Sequence, residues 1–250
     1  MSIHDIAHGF DRAASRYDKG RPSYPAEAVD LLCDGLGLTG GAPVADVGAG
    51  TGKLTRLLAA RGLRVTAVEP VDGMRAALAA GTPANVEVVA GTAEATGLPD
   101  RAVRAVVAAQ AWHWFDADAT LAEAARIATG GLGTIRNDAD YSDGFTEAIW
   151  ALRDRYLPAG YPNYRREDFE AAVARAAKTA GWGTPVRHEV RHSQRLDLGG
   201  LVDRLLSTSF LAALPEDRQR GIAREVRARA GGADEVDVRY TTEVYVVART

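Results

Sequence analysis

Two short stretches carry residue types that can do chemistry. The first is ADVGAGTGKL, residues 45–54, in which Gly48, Gly50 and Gly52 alternate behind Asp46. Glycines at that spacing let the chain turn tightly and bring backbone amides against a ligand with no Cβ in the way. Glu69 follows near the end of RVTAVEP, residues 64–70. A carboxylate at the end of a second strand can accept hydrogen bonds from both hydroxyls of a ribose. The second stretch is AAQAWHWFDAD, residues 108–118, where Trp112 and Trp114 flank His113 and Phe115 comes next. A histidine titrates in the range where a general base is useful. Aromatic faces wall an apolar slot and stabilise positive charge by ~0.5–2 kcal/mol. The combination predicts that His113 handles a proton while Trp112, Trp114 and Phe115 hold a flat or transiently cationic substrate. Without a ligand, His113 would cap the next helix or satisfy a buried carbonyl, and one tryptophan of the pair would only pack.

These residues need elements to position them. Apolar, β-branched runs at 43–48, 64–70, 86–91, 102–110 and 132–138 read as strands. Between them, KLTRLLAARG, GMRAALAAG and ATLAEAARIATG carry helical spacing and end at glycine. Strand–helix alternation predicts a doubly wound parallel sheet, with ligands at the carboxyl ends of the strands. The second half reads as helices near 144–157 and 165–180, a strand at 188–198, helices near 199–212 and 215–230, and a last strand at 241–249. Two further helices, near 4–17 and 25–36, precede the first strand and are material for a cap over the crevice.

The composition excludes several classes. The chain has 250 residues, 46% hydrophobic and 25% charged, with a net charge of −3. That fits a globule with one buried core. No basic block points to nucleic acid, and no apolar run approaches the ~18 residues of a membrane span. The single cysteine, Cys33, rules out a disulfide within the chain. The expected setting is a reducing cytoplasm, with homo-oligomerisation left open. His188 and His192 lie four apart on one strand with no third ligand nearby, so no metal is expected.

The glycine loop also discriminates among cofactors. A dinucleotide fingerprint is G-x-G-x-x-G/A, which would put a small residue at position 53, and Lys53 stands there. No G-x-x-x-x-G-K-[ST] is present either. D-x-G-x-G-x-G followed by an acid after the next strand resembles the motif of class I S-adenosylmethionine-dependent methyltransferases. VEPVDGMRAAL, GTAEATGLPD and AAQAWHWFD resemble successive segments of a small-molecule subgroup related to enzymes acting on trans-aconitate. FDRAASRYDKGRPSYP, STSFLAALPE and YTTEVYVV extend the likeness over nearly the whole chain.

That resemblance implies a single domain, 1–250, with a Rossmann-like, mostly parallel seven-stranded sheet whose last strand is antiparallel. It adds cap helices in 1–38 and further helical cap or substrate elements at 139–184 and 199–230. It implies S-adenosylmethionine as cofactor, S-adenosylhomocysteine as product, and no metal. Asp46, Gly48, Gly50, Gly52 and Glu69 carry over as cofactor contacts. Thr92 and Ala93 fall at the adenine, Gln110 at the methionine end, and Tyr17 in the cofactor-covering N-terminus. In the cap, Arg21 is expected to pair with a substrate carboxylate and Tyr24 to share in proton transfer, the alternative being a structural Arg-Pro turn. Thr92 departs from the acid common at that place, and either Glu94 takes over or the adenine relies on backbone groups. Arg104 and TGGLG depart as well, without touching the glycine loop. A-Q-A-W stands where amino-group methyltransferases of bases and glutamine carry N-P-P-Y-like segments, which argues against a nucleic-acid substrate. The specific expectation is transfer to an electron-rich aromatic carbon, such as an indole, in a secondary metabolite. The alternatives are O-methylation of a small carboxylic acid or phenol, a binding protein without turnover, and a nicotinamide oxidoreductase.

Overall fold

The computed structural model describes residues 20–161 and 166–249. The expectations for Tyr17 and for a helix at 4–17 lie outside the described residues. Seven strands form one sheet. They are β1 (Pro43–Val47), β2 (Arg64–Val68), β3 (Val86–Val89), β4 (Val103–Ala109), β5 (Ala128–Ala139), β6 (Val186–Asp197) and β7 (Glu235–Ala248). The described helices are α1 (Ala26–Gly35), α2 (Lys53–Ala60), α3 (Asp72–Ala79), α4 (Ala117–Ile127), α5 (Gly144–Asp154), α6 (Arg166–Ala180), α7 (Leu198–Leu206), α8 (Ser209–Ala212) and α9 (Glu216–Arg229).

The strand order is β3-β2-β1-β4-β5-β7-β6. β1 to β5 pair in parallel. β7 runs against β5: Asp140 N donates to Arg239 O at 3.0 Å and Arg249 N to Gly130 O at 2.8 Å, so one strand's numbers rise as the other's fall. The mostly parallel Rossmann-like sheet with an antiparallel last strand is therefore as expected. The order reverses between β1 and β4, which is where ligands bind in wound sheets.

The described chain divides into two compact units. The sheet unit comprises 24–136, 166–190 and 242–249. Successive strand residues enter opposite cores there, as a strand's period of two requires. Ala45 and Val106 join Leu121, Ile127, Phe169 and Val173, whereas Val44 and Val107 join Val29, Leu32, Leu54 and Leu58. α1 buries Ala28, Val29, Leu32 and Cys33 in the second core. It is a layer helix of the sheet. α6 likewise buries Phe169 and Val173 in the first core, so this part of 139–184 is sheet layer too.

The second unit comprises 20–23, 137–161 and 191–241 among the described residues. Ile149, Leu201, Leu205, Ile222, Val226 and Tyr240 form its core. The helix expected over 199–212 breaks between α7 and α8. The Ser207 hydroxyl donates to the Arg204 carbonyl at 2.7 Å, a local bond that competes with helix continuation. β7 begins at Glu235, six residues before the expected 241. EVDVRY already alternates charged and apolar residues there, with Val238 and Tyr240 buried. No described helix is long and apolar enough to cross a membrane.

Candidate active site

The glycine loop leaves β1 and enters α2. Gly48, Gly50 and Gly52 have φ of 64°, 58° and 85°, left-handed values that glycine adopts without strain. Two of them are also tightly enclosed. A Cβ at Gly52 would lie 2.1 Å from Leu78 Cδ1, and one at Gly48 would lie 2.9 Å from both Ala111 Cβ and the Phe115 ring. Nothing lies within 4 Å of a Cβ built on Gly50, so this side of the loop is open. Gly48 N and Ala49 N both donate to Val68 O, at 2.9 and 3.2 Å, which ties the loop to β2.

Glu69 fixes the loop from the other strand. It is 5% exposed. Its Oε2 accepts from Gly50 N at 2.8 Å and its Oε1 from Val71 N at 2.9 Å. A carboxylate has about four acceptor positions, so two remain for a ligand. Burial pushes its pKa up, while the two amides and Arg75 oppose. Asp46 is fully buried. Thr55 Oγ1 donates to its Oδ2 at 2.6 Å, and its Oδ1 has no partner. Burial pushes its carboxyl up to about 7, helped by the Glu69 charge and opposed by Thr55. Asp46 is thus closed off from solvent at the base of the loop.

The loops after β3 and β4 are tied together. Thr92 caps its own turn, since Ala95 N lies 3.2 Å from its Oγ1, and Ala93 is buried. Glu94 Oε1 accepts from Asp116 N at 2.9 Å. The acid expected to stand in for Thr92 is thus engaged in holding the α4 entrance. Asp116 caps α4 in turn, accepting from Ala119 N at 3.0 Å.

Gln110 follows β4 with φ of 54°, an uncommon value for a residue with a side chain. Its amide donates to Ile135 O at 3.0 Å. Residues Trp112–Trp114 form one 3-10 turn, closed by Trp114 N to Ala111 O at 2.9 Å. Trp112 is buried, edge-on to Phe169 at 4.9 Å and to Phe115 at 6.0 Å. It is the tryptophan that packs. His113 and Trp114 are half-buried, with ring centroids 5.0 Å apart and planes tilted by 42°.

A small pocket opens beside this turn. Gln110, Trp112, His113, Thr134 and Arg136 contribute to its lining, with Ala108, Ala111 and Ile135. Thr134 Oγ1 is buried without a hydrogen-bond partner. Arg136 Nη1 lies 3.6 Å from Glu243, a buried carboxylate that Arg166 and Arg187 also contact. Thr134 and Arg136 had no place in the sequence reading. Their spacing of two within a strand was the available signal, because it puts both on one face.

Tyr24 does not join this lining. It is 7% exposed and packed in the core with Val29 and Leu32. The tyrosine ring is apolar enough to serve as core. Arg21 belongs to the second unit.

Residues 45–132 match the family described as methyltransferase domain. An uncharacterised methyltransferase of Mycobacterium tuberculosis is 35% identical over 216 residues, covering 86% of this chain and 82% of its own length. The chain is a class I S-adenosylmethionine-dependent methyltransferase. Solved methyltransferase folds agree. A chain from Anaeromyxobacter dehalogenans, provisionally classed as a type II methyltransferase, superposes with a TM-score of 0.65 at 23% identity, covering 92% of this chain and 97% of that one. A Haemonchus contortus phosphoethanolamine N-methyltransferase in complex with S-adenosyl-L-methionine superposes at 0.56 with 15% identity, over 96% of this methyltransferase and 57% of that chain.

Proposed function

We propose that this methyltransferase moves a methyl group from S-adenosylmethionine to a small molecule, at an electron-rich, indole-like aromatic carbon. One observation carries the cofactor placement: the open, left-handed Gly50 whose amide is held by Glu69. Gly48, Gly50 and Gly52 would present the loop to the methionine part. Glu69 would use its two remaining acceptor positions for the ribose. Asp46, Thr92, Ala93 and Gln110 complete the cofactor set. Bound there, S-adenosylmethionine supplies a methyl group on a sulfonium.

The residues after β4 would serve the acceptor. Trp114 and Phe115 hold the flat ring. As the acceptor carbon forms its new bond, the ring becomes cationic, and aromatic faces favour that charge. His113 takes the proton from the same carbon, which restores the aromatic system. The turn mainly orients the reactants and excludes water, which is most of what an in-line displacement needs.

A second reading has its own support. Thr134 Oγ1 and Arg136 are donors in the pocket lining, and they would suit an oxygen nucleophile, a small carboxylate or phenol. An ionised oxygen needs no base. Incubation with S-adenosylmethionine and a panel of indoles, phenols and carboxylic acids, read by mass spectrometry, separates the two. Methylated indole carbon supports the first reading, and methyl esters or ethers alone overturn it in favour of the second.

A further inference from the structure

The pocket beside His113 is lined by a buried hydroxyl that nothing in the protein satisfies. Thr134 lies on β5, opposite Ala108 of β4 and two residues after Leu132, so it faces the first core. It is 3% exposed, and its Oγ1 has no hydrogen-bond partner. Packing alone does not call for a hydroxyl here. Valine has the same branched shape and would fill the same space without a buried donor. A buried hydroxyl without a partner is costly, and native structures keep few of them.

The size and charge of the pocket narrow what could meet that hydroxyl. Its enclosed part holds one water-sized group. A ligand therefore reaches Thr134 with a single heteroatom at its end, not with a ring. The lining contains Arg136 and no acid. Glu243 lies 3.6 Å from Arg136, beyond hydrogen-bond distance, while its Oε1 accepts from Arg166 at 2.6 Å and from Arg187 Nε at 3.1 Å. That carboxylate is shared among three guanidinium groups, and Arg136 has the longest of the contacts. An oxygen that accepts from Thr134 and carries negative charge suits both lining groups. A cationic nitrogen suits neither.

We infer that this pocket seats one oxygen of a carboxylate on the methyl acceptor, with Thr134 Oγ1 as its donor and Arg136 as its countercharge. The seated oxygen anchors the acceptor and is not itself methylated. A recess with room for one atom leaves none for the in-line approach of a methyl group. The methyl group goes to another atom of the same molecule, a ring carbon or the carboxylate's outer oxygen. Thr134 thus selects acids among the flat acceptors, and the acceptor class is an aromatic carboxylic acid. The inference rests on the proposed function only in placing the acceptor at this pocket. Its test reads binding alone. Binding of acids through Thr134 without methylated indole would leave the inference standing and the proposed reaction overturned, and methylation of neutral indoles without acid binding would do the reverse.

The experiment is calorimetric titration of the full chain, saturated with S-adenosylhomocysteine, at fixed ionic strength. The probes are two acids and their neutral isosteres: indole-3-acetate with indole-3-acetamide, and benzoate with benzamide. At least one acid should bind about tenfold more tightly than its amide, the scale of one hydrogen bond to a charged group. T134V keeps the shape and loses the hydroxyl. It should weaken that acid about tenfold, leave the amide unchanged, and melt no lower than the wild type without ligand. T134S keeps the hydroxyl and should restore the acid. Neither acid binding the wild type, amides binding as tightly as acids, an undiminished acid in T134V, or an acid lost equally in T134S each overturns the inference. So does a lower melting temperature for T134V, which would show that water already satisfies the hydroxyl. The comparison of acid with amide in the wild type needs no variant to fold.

Discussion

Glu69 Oε2 accepts the Gly50 amide at 2.8 Å, joining the loop after β1 to the end of β2. The acid is thus a clamp on the loop as well as the proposed acceptor for a ribose. Glu69→Ala removes both roles. S-adenosylhomocysteine affinity should fall by ~1.5–3 kcal/mol, the scale for hydrogen bonds to a charged group. Calorimetric titration reads it, and unchanged affinity would show that the ribose lies elsewhere. Glu69→Gln keeps one acceptor oxygen and should lose less.

Cofactor choice is checked more simply. At ~100 times its dissociation constant, S-adenosylhomocysteine should add about 2.7 kcal/mol of stability, and NAD should add none. A shift with NAD alone would contradict the cofactor placement.

Asp46 sets a pH dependence of stability. Its folded pKa of about 7 lies above the ordinary 3.8. Between those values the unfolded chain gives up its proton first, so the folded state holds more protons and stability falls as pH rises. The slope approaches ~1.4 kcal/mol per pH unit for one group. Glu69, also raised, adds in the same direction. Glu123 is lowered to about 2, chiefly by Arg126, so its contribution has the opposite sign and is lost as pH falls below the ordinary 4.5. Asp46→Asn should flatten the decline between about 4 and about 7 in denaturant midpoints of the empty protein. A decline that persists unchanged would place its source in another group.

His113→Ala should lower kcat by ~10²–10⁴, the span of a lost general base, with cofactor affinity barely moved. The tryptophans should separate. Trp114→Leu should raise KM first, since it loosens the slot and keeps the base. Trp112→Ala should cost ~3–5 kcal/mol of stability, because Trp112 is packed against Phe169. A His113→Ala enzyme at nearly full rate would remove both the base and the indole acceptor from the proposal.

Gly52→Ala should destabilise on two counts. Its φ of 85° is costly for any side chain, and its Cβ would overlap Leu78. The backbone part alone is ~1–2 kcal/mol. Leu78→Ala in the same chain should relieve only the overlap, and full rescue would show that the backbone carries no strain.

The sequence was most legible where local pattern and tertiary packing demand the same residues. The sheet strands and the glycine loop are such places: buried parallel strands must be apolar, and a left-handed turn under Leu78 admits only glycine. Tyr24 and α1 were less legible for the opposite reason. An amphipathic helix before the first strand has the same pattern whether it layers on the sheet or covers a ligand. The pocket residues Thr134 and Arg136 were hidden in LGTIRND, which is an ordinary strand until the neighbouring turn is known. Arg204 was hidden more fully. An arginine in a helix reads as a solvated residue, and only packing against Trp150 and Tyr240 reveals that it is buried.

The sheet order has a consequence for how the chain is made. β6 is synthesised before β7, yet it sits at the sheet edge with β7 as its neighbour, while β7 bridges it to β5. On the ribosome, β6 therefore emerges with no strand to pair with, and β5 waits with an open edge. Both are exposed until the last strand has left the exit tunnel, and open strand edges invite pairing with other chains. Stalling within the β7 codons should thus yield aggregates, whereas stalling beyond a spacer long enough for β7 to clear the tunnel should yield folded protein.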